Sequence, residues 1–549
     1  MAITEATLLN AGTHAGLYNL DAVSVARTTA RRDRLSVIDT LSREQRLPRT
    51  ALYQAVAQQR NLPFLPLAKL HTDKELLARL PDNLLLRRLV LPVRDAQQRL
   101  LLAMADPDDQ VAIDTVKRVL NETFAIVQSE PVSITSTLKC ELNLPSSEEQ
   151  DPVQLFDELM KEAYVCNASD IHLKPQKAGL KASLRVDGRL IPYPKLLNKD
   201  EANLLINRVK VLSSLDISEQ RIPQDGGFSY AISDWALPPQ DLRVATLPSR
   251  WGERITLRIL GQESGALALD QLDLHPQVLE RFRDVLTYPN GMVLITGPTG
   301  SGKSTTLYAA LREIDRTELN VLTVEDPIEQ LLEDITQVQV GVKISFSQAL
   351  RSFLRHDPDI ILVGEIRDQD TAETAMKASM TGHLVLSTLH TNNATSAVSR
   401  MYNLKCEHFM IATTLRLVLA QRLARRLCRL CRQPASTPPP LEFDALQGAQ
   451  LYEAKGCPAC LGTGYKGRIG LHEMFFIDAE ISQLIAAGAN DETLRNAAKQ
   501  QLYTLWQDAL YKVAKGYTSL EEVLPFKELV TPQQPSANSP LEVPGGVNP

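Results

Sequence analysis

Eight residues beginning at Gly297 read GPTGSGKS, with Thr305 and Thr306 directly after them. This is a full match to the G-x-x-x-x-G-K-[ST] spacing, whose chemistry is phosphate binding. Gly297, Gly300 and Gly302 let the backbone wrap an anion without Cβ clashes. The loop's N–H groups and the start of the following helix then face the phosphates. The candidate cradle is Gly297, Pro298, Thr299, Gly300, Ser301, Gly302, Lys303, Ser304 and Thr305. Lys303 would reach the β- and γ-phosphates, and the Ser304 hydroxyl would ligate Mg²⁺.

Two acidic clusters follow short apolar runs. VLTV leads into Glu325-Asp326-Pro327-Ile328-Glu329, and IILV leads into Gly364-Glu365-Ile366-Arg367-Asp368. Residues just past the carboxyl ends of parallel strands face the ligand crevice of an open sheet. A nucleotidase needs one carboxylate there for Mg²⁺ and another to activate or orient water. Acidic residues after strands are also common as solvated loop ends, but two in register behind a phosphate loop favour the functional reading. A further run, Thr381 to Asn392 (TGHLVLSTLHTN), brings His390, Thr391 and Asn392 to the same edge. A neutral His390 there would sense the γ-phosphate by hydrogen bonding. A structural histidine satisfied by backbone carbonyls fits the sequence equally well.

Cys428-x-x-Cys431 and Cys457-x-x-Cys460 are 25 residues apart. Two such knuckles in a reducing compartment are best satisfied by one tetrahedral Zn²⁺ held by four thiolates. A closed four-thiolate site is structural; reduced pairs and redox cysteines are the alternatives. Cys140, Cys166 and Cys406 are singletons, expected to be inert thiols.

These groups need elements to position them. Strands are expected at MVLI (292–295), VLTV (321–324), IILV (360–363) and LVLS (384–387), alternating with helices, which is the rhythm of a parallel sheet. The segment STTLYAALREI supplies the helix after the phosphate loop. Upstream, KASLR (181–185) and RITLRIL (254–260) alternate like strands of a mixed domain. Residues 1 to about 142 look helix-rich, and LNLPSSEEQ reads as a linker. The last residues are rich in Pro, Ser and Gly and are expected to be a disordered tail. The expected organisation is therefore 1–144, a linker at 145–151, 152–268, 269–530 with a cysteine module at 428–460, and a tail at 531–549.

The chain has 549 residues, enough for three or four domains at roughly 150 residues each. It is 44% hydrophobic and 23% charged with net charge -6, which excludes a disordered chain and disfavours a generally basic nucleic-acid binder, though not a local basic patch. No run approaches the roughly 18 apolar residues of a spanning helix, and MAITEATLLN lacks a secretory pattern. A cytoplasmic protein is expected, with any membrane contact made through protein partners. QRLARRLCRLCR carries Arg422, Arg425, Arg426, Arg429 and Arg432, read as a solvated face rather than a partner or nucleic-acid surface.

The blocks GPTGSGKSTTLY, VEDPIE, ILVGEIRD and TGHLVLSTLHTN resemble, in order, the Walker A, aspartate box, atypical Walker B and histidine box of the type II secretion and type IV pilus assembly ATPases. ASDIHLKP, RVDGRL, LDISEQRIPQDGG, DLRVATLP and GERITLRIL fit upstream, so the likeness covers about 150 to 525. It implies an α/β fold: a RecA-like P-loop ATPase core, an α+β PAS-like upstream domain, a helical N-terminal domain and a zinc-binding insert. It implies Glu325 as general base and Glu365 as the Walker B glutamate acting through Mg²⁺. His383 and His390 match the histidine box. Arg221, Arg243 and Arg254 are the upstream arginines that would reach the phosphates, although Gln220 and Gly227 stand where the family often has arginine.

The resemblance further implies ATP, Mg²⁺ and structural Zn²⁺ as cofactors. It implies a homohexamer driving pilus assembly or pseudopilus-dependent secretion through an inner-membrane platform protein and cytoplasmic assembly proteins. The tetracysteine insert and the extra N-terminal region point to an assembly-type rather than a retraction-type motor. AQQRNLPFLP (57–66) and MADPDDQVAIDTVKRVLNE (104–122) resemble the family's docking domain, which in some members binds cyclic di-GMP through R-L-G and Leu-rich motifs. Here Arg34-Leu35-Ser36 has Ser in place of Gly, so partner docking is preferred. A nucleic-acid translocase or helicase and a non-hydrolysing ATP-dependent scaffold are the competing readings. The acidic balance disfavours the first, and the two intact carboxylate clusters disfavour the second.

Overall fold

The computed structural model describes residues 3–66, 71–142, 151–177, 179–232, 234–235, 237–261, 267–314, 317–440 and 442–527. The proposed 145–151 linker, apart from Asp151, and the 531–549 tail lie outside the described residues. The chain divides into two compact units. One holds the described part of residues 1–265 with Leu427–Gln433 and Ala454–Gly467; the other holds the rest.

The first unit begins with helices Glu5–His14, Leu20–Asp33, Val37–Gln45 and Arg49–Gln59. Side chains of Thr4, Asn19 and Ser36 accept from the third N–H beyond, capping the first three helices. Their inner faces meet at Leu8, Ala26, Leu41 and Leu52. Helix-rich sequence thus gives helices, but a four-stranded sheet follows that the spacing did not suggest. Its order is His71–Thr72, Val90–Arg94, Leu100–Met104, Ala125–Gln128. Leu100–Met104 is buried throughout, so it shows an unbroken apolar run instead of alternation. Periodicity cannot tell such a strand from a buried helix.

Beyond it lies a six-stranded sheet in the order Arg189–Leu197, Gly179–Val186, Asp170–Gln176, Gly252–Ile259, Gln240–Ser249, Gln224–Tyr230. Every neighbouring pair is antiparallel. Helices Pro152–Val165 and Lys199–Leu212 cover one face, packing Phe156, Met160, Leu205 and Val209 on Ile171, Leu173 and Leu257. Because side chains alternate along a strand, the intervening residues His172, Arg243, Arg254, Thr256 and Arg258 share the other face.

The second unit is built on a seven-stranded sheet ordered Thr336–Gln339, Val321–Glu325, Ile360–Val363, Leu384–Leu389, Gly291–Thr296, Leu415–Leu427, Tyr465–Phe476. The first five run parallel, and Gly291–Thr296 also pairs parallel with Leu415–Leu427. All four strands expected at its centre form. Ile361 and Val363 face one apolar cluster, with Leu350 and Met376; Ile360 and Leu362 face another, with Phe282 and Leu311. Helices on both faces explain why these strands read as continuous apolar runs.

Candidate active site

Parallel strands place their carboxyl ends along one edge, and the candidate residues gather there. Thr296 ends a fully buried strand, and Gly297 opens the phosphate loop. Gly297 has φ +150°, and a Cβ on it would stand 2.4 Å from the carbonyl oxygen of Gln421. The next strand over presses on the loop so closely that only glycine fits. Helix Lys303–Glu313 follows, with Gly302 at its N-cap. Lys303 is buried, and its Nζ donates to the carbonyls of Gly297 (2.9 Å) and Pro298 (3.1 Å). Burial lowers its pKa, with Glu365 and Glu329 opposing and Arg422 adding to the drop. In this arrangement the lysine occupies the loop's own carbonyls, an arrangement a phosphate would exchange for a stronger charge-assisted bond.

Glu325 ends the strand Val321–Glu325 and is buried. Its carboxylate accepts from Thr323 Oγ1 (2.6 Å), from Gln337 Nε2 (3.1 Å) and from the Tyr308 hydroxyl. Tyr308 lies one turn into the phosphate-loop helix and also accepts the N–H groups of Glu329 and Gln330, both at 3.3 Å. Glu365 follows Ile360–Val363. It pairs with Arg367, whose guanidinium is also 3.7 Å from Asp326, and its Oε2 lies 3.4 Å from His390 Nε2.

Besides Tyr308, sequence reasoning missed two contributors on the strand Leu415–Leu427. Arg422, grouped with a solvated basic face, donates to the Asn392 carbonyl (3.2 Å) and Oδ1 (3.1 Å) beside the candidate site. Of its companions, Arg425 binds Glu522 and Arg426 binds Asp273. Gln421, on the same strand, accepts from Thr306 Oγ1 at 2.8 Å. Nothing in residue type marks these positions; only the pairing of their strand with Gly291–Thr296 does.

The cluster within one chain is therefore Lys303, Glu325, Glu365 and His390, with Ser304 and Thr305 at the helix start. His383 is not part of it. It precedes the strand Leu384–Leu389, at the opposite end of the sheet, roughly 20 Å from His390 at about 3.3 Å per residue. Its Nδ1 stands 2.7 Å from the Ala378 carbonyl, the contact of a structural histidine. The three arginines belong to the first unit. Arg221 is exposed and paired with Glu219 at 2.9 Å. Arg243 stands opposite Arg258, and Arg254 opposite Leu247, on the polar face of the six-stranded sheet.

The four knuckle cysteines converge, with all four Sγ atoms within 4.8 Å of one another. Cys428–Cys457, Cys431–Cys460 and Cys457–Cys460 are each 3.8 Å apart. A tetrahedron with Zn–S bonds of about 2.3 Å has edges of about 3.8 Å, so the donor set fits zinc. The N–H groups of Cys457 and Gly464 donate to Cys460 Sγ at 3.2 and 3.1 Å, supporting a thiolate. The knuckles lie in the first unit, and the 3-10 turn Pro458–Cys460 contacts helix Arg49–Gln59 there. Among the described residues no helix is long and apolar enough to cross a membrane.

A glycine loop between a parallel strand and a helix, faced by carboxylates from neighbouring strand ends, defines a P-loop domain. The chain belongs to the Type II/IV secretion system protein family, whose model matches residues 146–525; the MshEN domain model matches residues 60–139. It is 39% identical over 522 residues to the type IV pilus assembly ATPase PilB of Thermus thermophilus, covering 88% of this chain and 58% of that one. It is 42% identical over 440 residues to the type II secretion system protein E of Klebsiella pneumoniae, covering 79% of this chain and 86% of that one. The X-ray structure of the Legionella pneumophila ATPase DotB shares the fold, with TM-score 0.53 at 22% identity over 70% of this chain and 98% of that one.

Proposed function

We propose that the chain hydrolyses ATP to ADP and phosphate, and that it works as a homohexameric motor for type IV pilus assembly or type II secretion. The observation that carries this is the gathering of Lys303, Glu325, Glu365 and His390 at one sheet edge. Family membership and the names of the relatives support it.

Lys303 leaves the loop carbonyls for the β- and γ-phosphates. Ser304 and, through water, Glu365 are the groups that would hold Mg²⁺, which supplies charge neutralisation when bound. Glu325 takes a proton from the attacking water, with Thr323, Tyr308 and Gln337 fixing the carboxylate's direction. His390 reports γ-phosphate loss to Glu365. Arg221, Arg243 and Arg254 would supply cations where charge spreads in the transition state. Motion driven by hydrolysis would be passed to an inner-membrane platform protein, with the chain held at the membrane by partners. The N-terminal region serves docking.

Full-length protein with Mg²⁺-ATP tests this. Phosphate release should be abolished by Lys303→Ala and strongly slowed by Glu365→Gln while ATP still binds. Unchanged turnover in Lys303→Ala would sink the assignment, and hydrolysis stimulated by DNA would favour a translocase instead.

A further inference from the structure

Glu473 is almost completely buried, 1% exposed, on the strand Tyr465–Phe476, far along the chain from every motif of the site. Its two carboxylate oxygens face different segments. Oε1 accepts the N–H of Ala394 at 2.8 Å, and Oε2 accepts the N–H of Leu505 at 3.4 Å. The Arg495 guanidinium stands 4.0 Å away.

Ala394 closes the loop that His390 opens. The loop's other anchors are all visible. Thr391 donates its N–H to Thr296 Oγ1 (2.9 Å), the last residue before the phosphate loop. Asn392 receives Arg422. Asn393 accepts the Thr391 hydroxyl on its carbonyl (2.9 Å) and the Ser396 N–H on its side chain (2.8 Å). Glu473 is the carboxyl anchor: burial raises its pKa, and it opposes the drop that burial imposes on Arg422.

The other side of Glu473 is equally tied down. Leu505 begins helix Leu505–Ala514. Tyr503 pairs with Met474 through both backbone bonds (2.8 and 3.2 Å), and Asp508 accepts the His472 N–H at 2.7 Å. The segment 503–508 therefore grips residues 472–474 as one body, and Glu473 reaches out of that grip to the His390 loop.

We propose that Glu473 is a positioning residue for ATP hydrolysis, holding the 390–394 loop so that His390 meets Glu365, and thereby joining the helix Leu505–Ala514 to the reaction. This rests on the hydrolytic reading of the site. A displaced reacting group can cost about a hundredfold per ångström. Removal of the carboxylate should therefore act on kcat more than on KM, because the phosphate loop itself keeps its anchors.

The test compares Glu473→Ala, Glu473→Gln, His390→Ala and the Glu473→Ala/His390→Ala double variant in the full-length chain. Hydrogen exchange of residues 391–396 is measured alongside turnover. Glu473→Ala should lower kcat roughly tenfold or more with KM within about threefold. The double variant should be no slower than His390→Ala alone within about twofold, since both act through one group. Exchange of the Ala394 amide should accelerate. Glu473→Gln keeps one acceptor oxygen but turns an N–H₂ towards the second backbone donor, so its effect should be intermediate in both readouts. It serves in place of Glu473→Ala if that variant fails to fold. Multiplicative losses in the double variant, raised KM at unchanged kcat, or unaltered exchange at Ala394 would each overturn the proposal. Lys303→Ala, run beside them, reports on the hydrolytic reading separately, because only that reading fails if it retains full turnover.

Discussion

His390 Nε2 stands 3.4 Å from Oε2 of Glu365, across the ends of two adjacent parallel strands. Arg367 holds the other Glu365 oxygen. The carboxylate is thus framed by two side chains for which a γ-phosphate would compete, while Mg²⁺ would compete with them for the carboxylate. Replacing His390 with Gln retains a hydrogen-bonding side chain, whereas Ala removes it. Turnover should fall about tenfold or more in Ala and less in Gln. Steady-state phosphate release with a nucleotide-binding titration separates a lost kcat from lost affinity, and full activity in His390→Ala would make this contact structural only.

Tyr308→Phe isolates the hydroxyl that Glu325 shares with the Glu329 and Gln330 N–H groups. Burial, followed by the Glu325 bond, holds this phenol above its ordinary pKa, so it donates as a neutral group. Its loss removes one hydrogen bond each from the Glu329 and Gln330 N–H groups and from Glu325, which keeps Thr323 and Gln337. Stability should drop by about 1 kcal/mol, the usual net worth of a hydrogen bond. The kcat should fall with KM little changed. Thermal melts and turnover at matched temperature check both; a variant as stable and as fast as the parent refutes the role.

The phosphate loop, the two glutamates and the central strands were legible because a glycine cradle and apolar runs leave local marks. The cysteine convergence was legible for the same reason: knuckle spacing is a local geometry. Arg422, Gln421, Tyr308 and Glu473 were not, because each reaches the site through strand pairing or a buried long-range bond that composition does not record. His383 shows the reverse failure. It shares a sequence block with His390, yet a six-residue strand between them carries the two to opposite ends of the sheet. The Leu100–Met104 strand was hidden by being buried on both faces.

Cys457→Ser should empty the knuckle site. Three thiolates hold zinc far less well than four, and in small metal modules metal binding free energy is folding free energy. Zinc measured by atomic absorption should fall from one per chain to well below it. Cleavage within 427–433 and 454–467 should speed up under limited proteolysis. Leu461, just past the second knuckle, packs with the N-terminal helices, so protection of Arg49–Gln59 should fall as well. A parent protein that holds no zinc, or a variant with unchanged protection, would remove the metal from the account.

Glu130 carries the pH dependence most open to measurement. Burial raises its carboxyl from 4.5 to about 7, with the Thr50 hydrogen bond opposing and Glu162 adding to the rise. A carboxyl whose folded value lies above its unfolded one binds its proton more tightly in the folded chain. Its cost is therefore absent below 4.5, grows as pH rises towards about 7, and is complete above that. At full size the shift corresponds to on the order of 3 kcal/mol. Glu130→Gln keeps an acceptor for Thr50 and removes the charge. It should leave Tm nearly unchanged at pH 5 and raise it at pH 8.5 by roughly 6–12 °C, at roughly 2–4 °C per kcal/mol for a unit of this size. Equal melting shifts at both pH values would mean that the carboxyl is already ionised in the folded protein at pH 5, and that Arg49 rather than burial governs it.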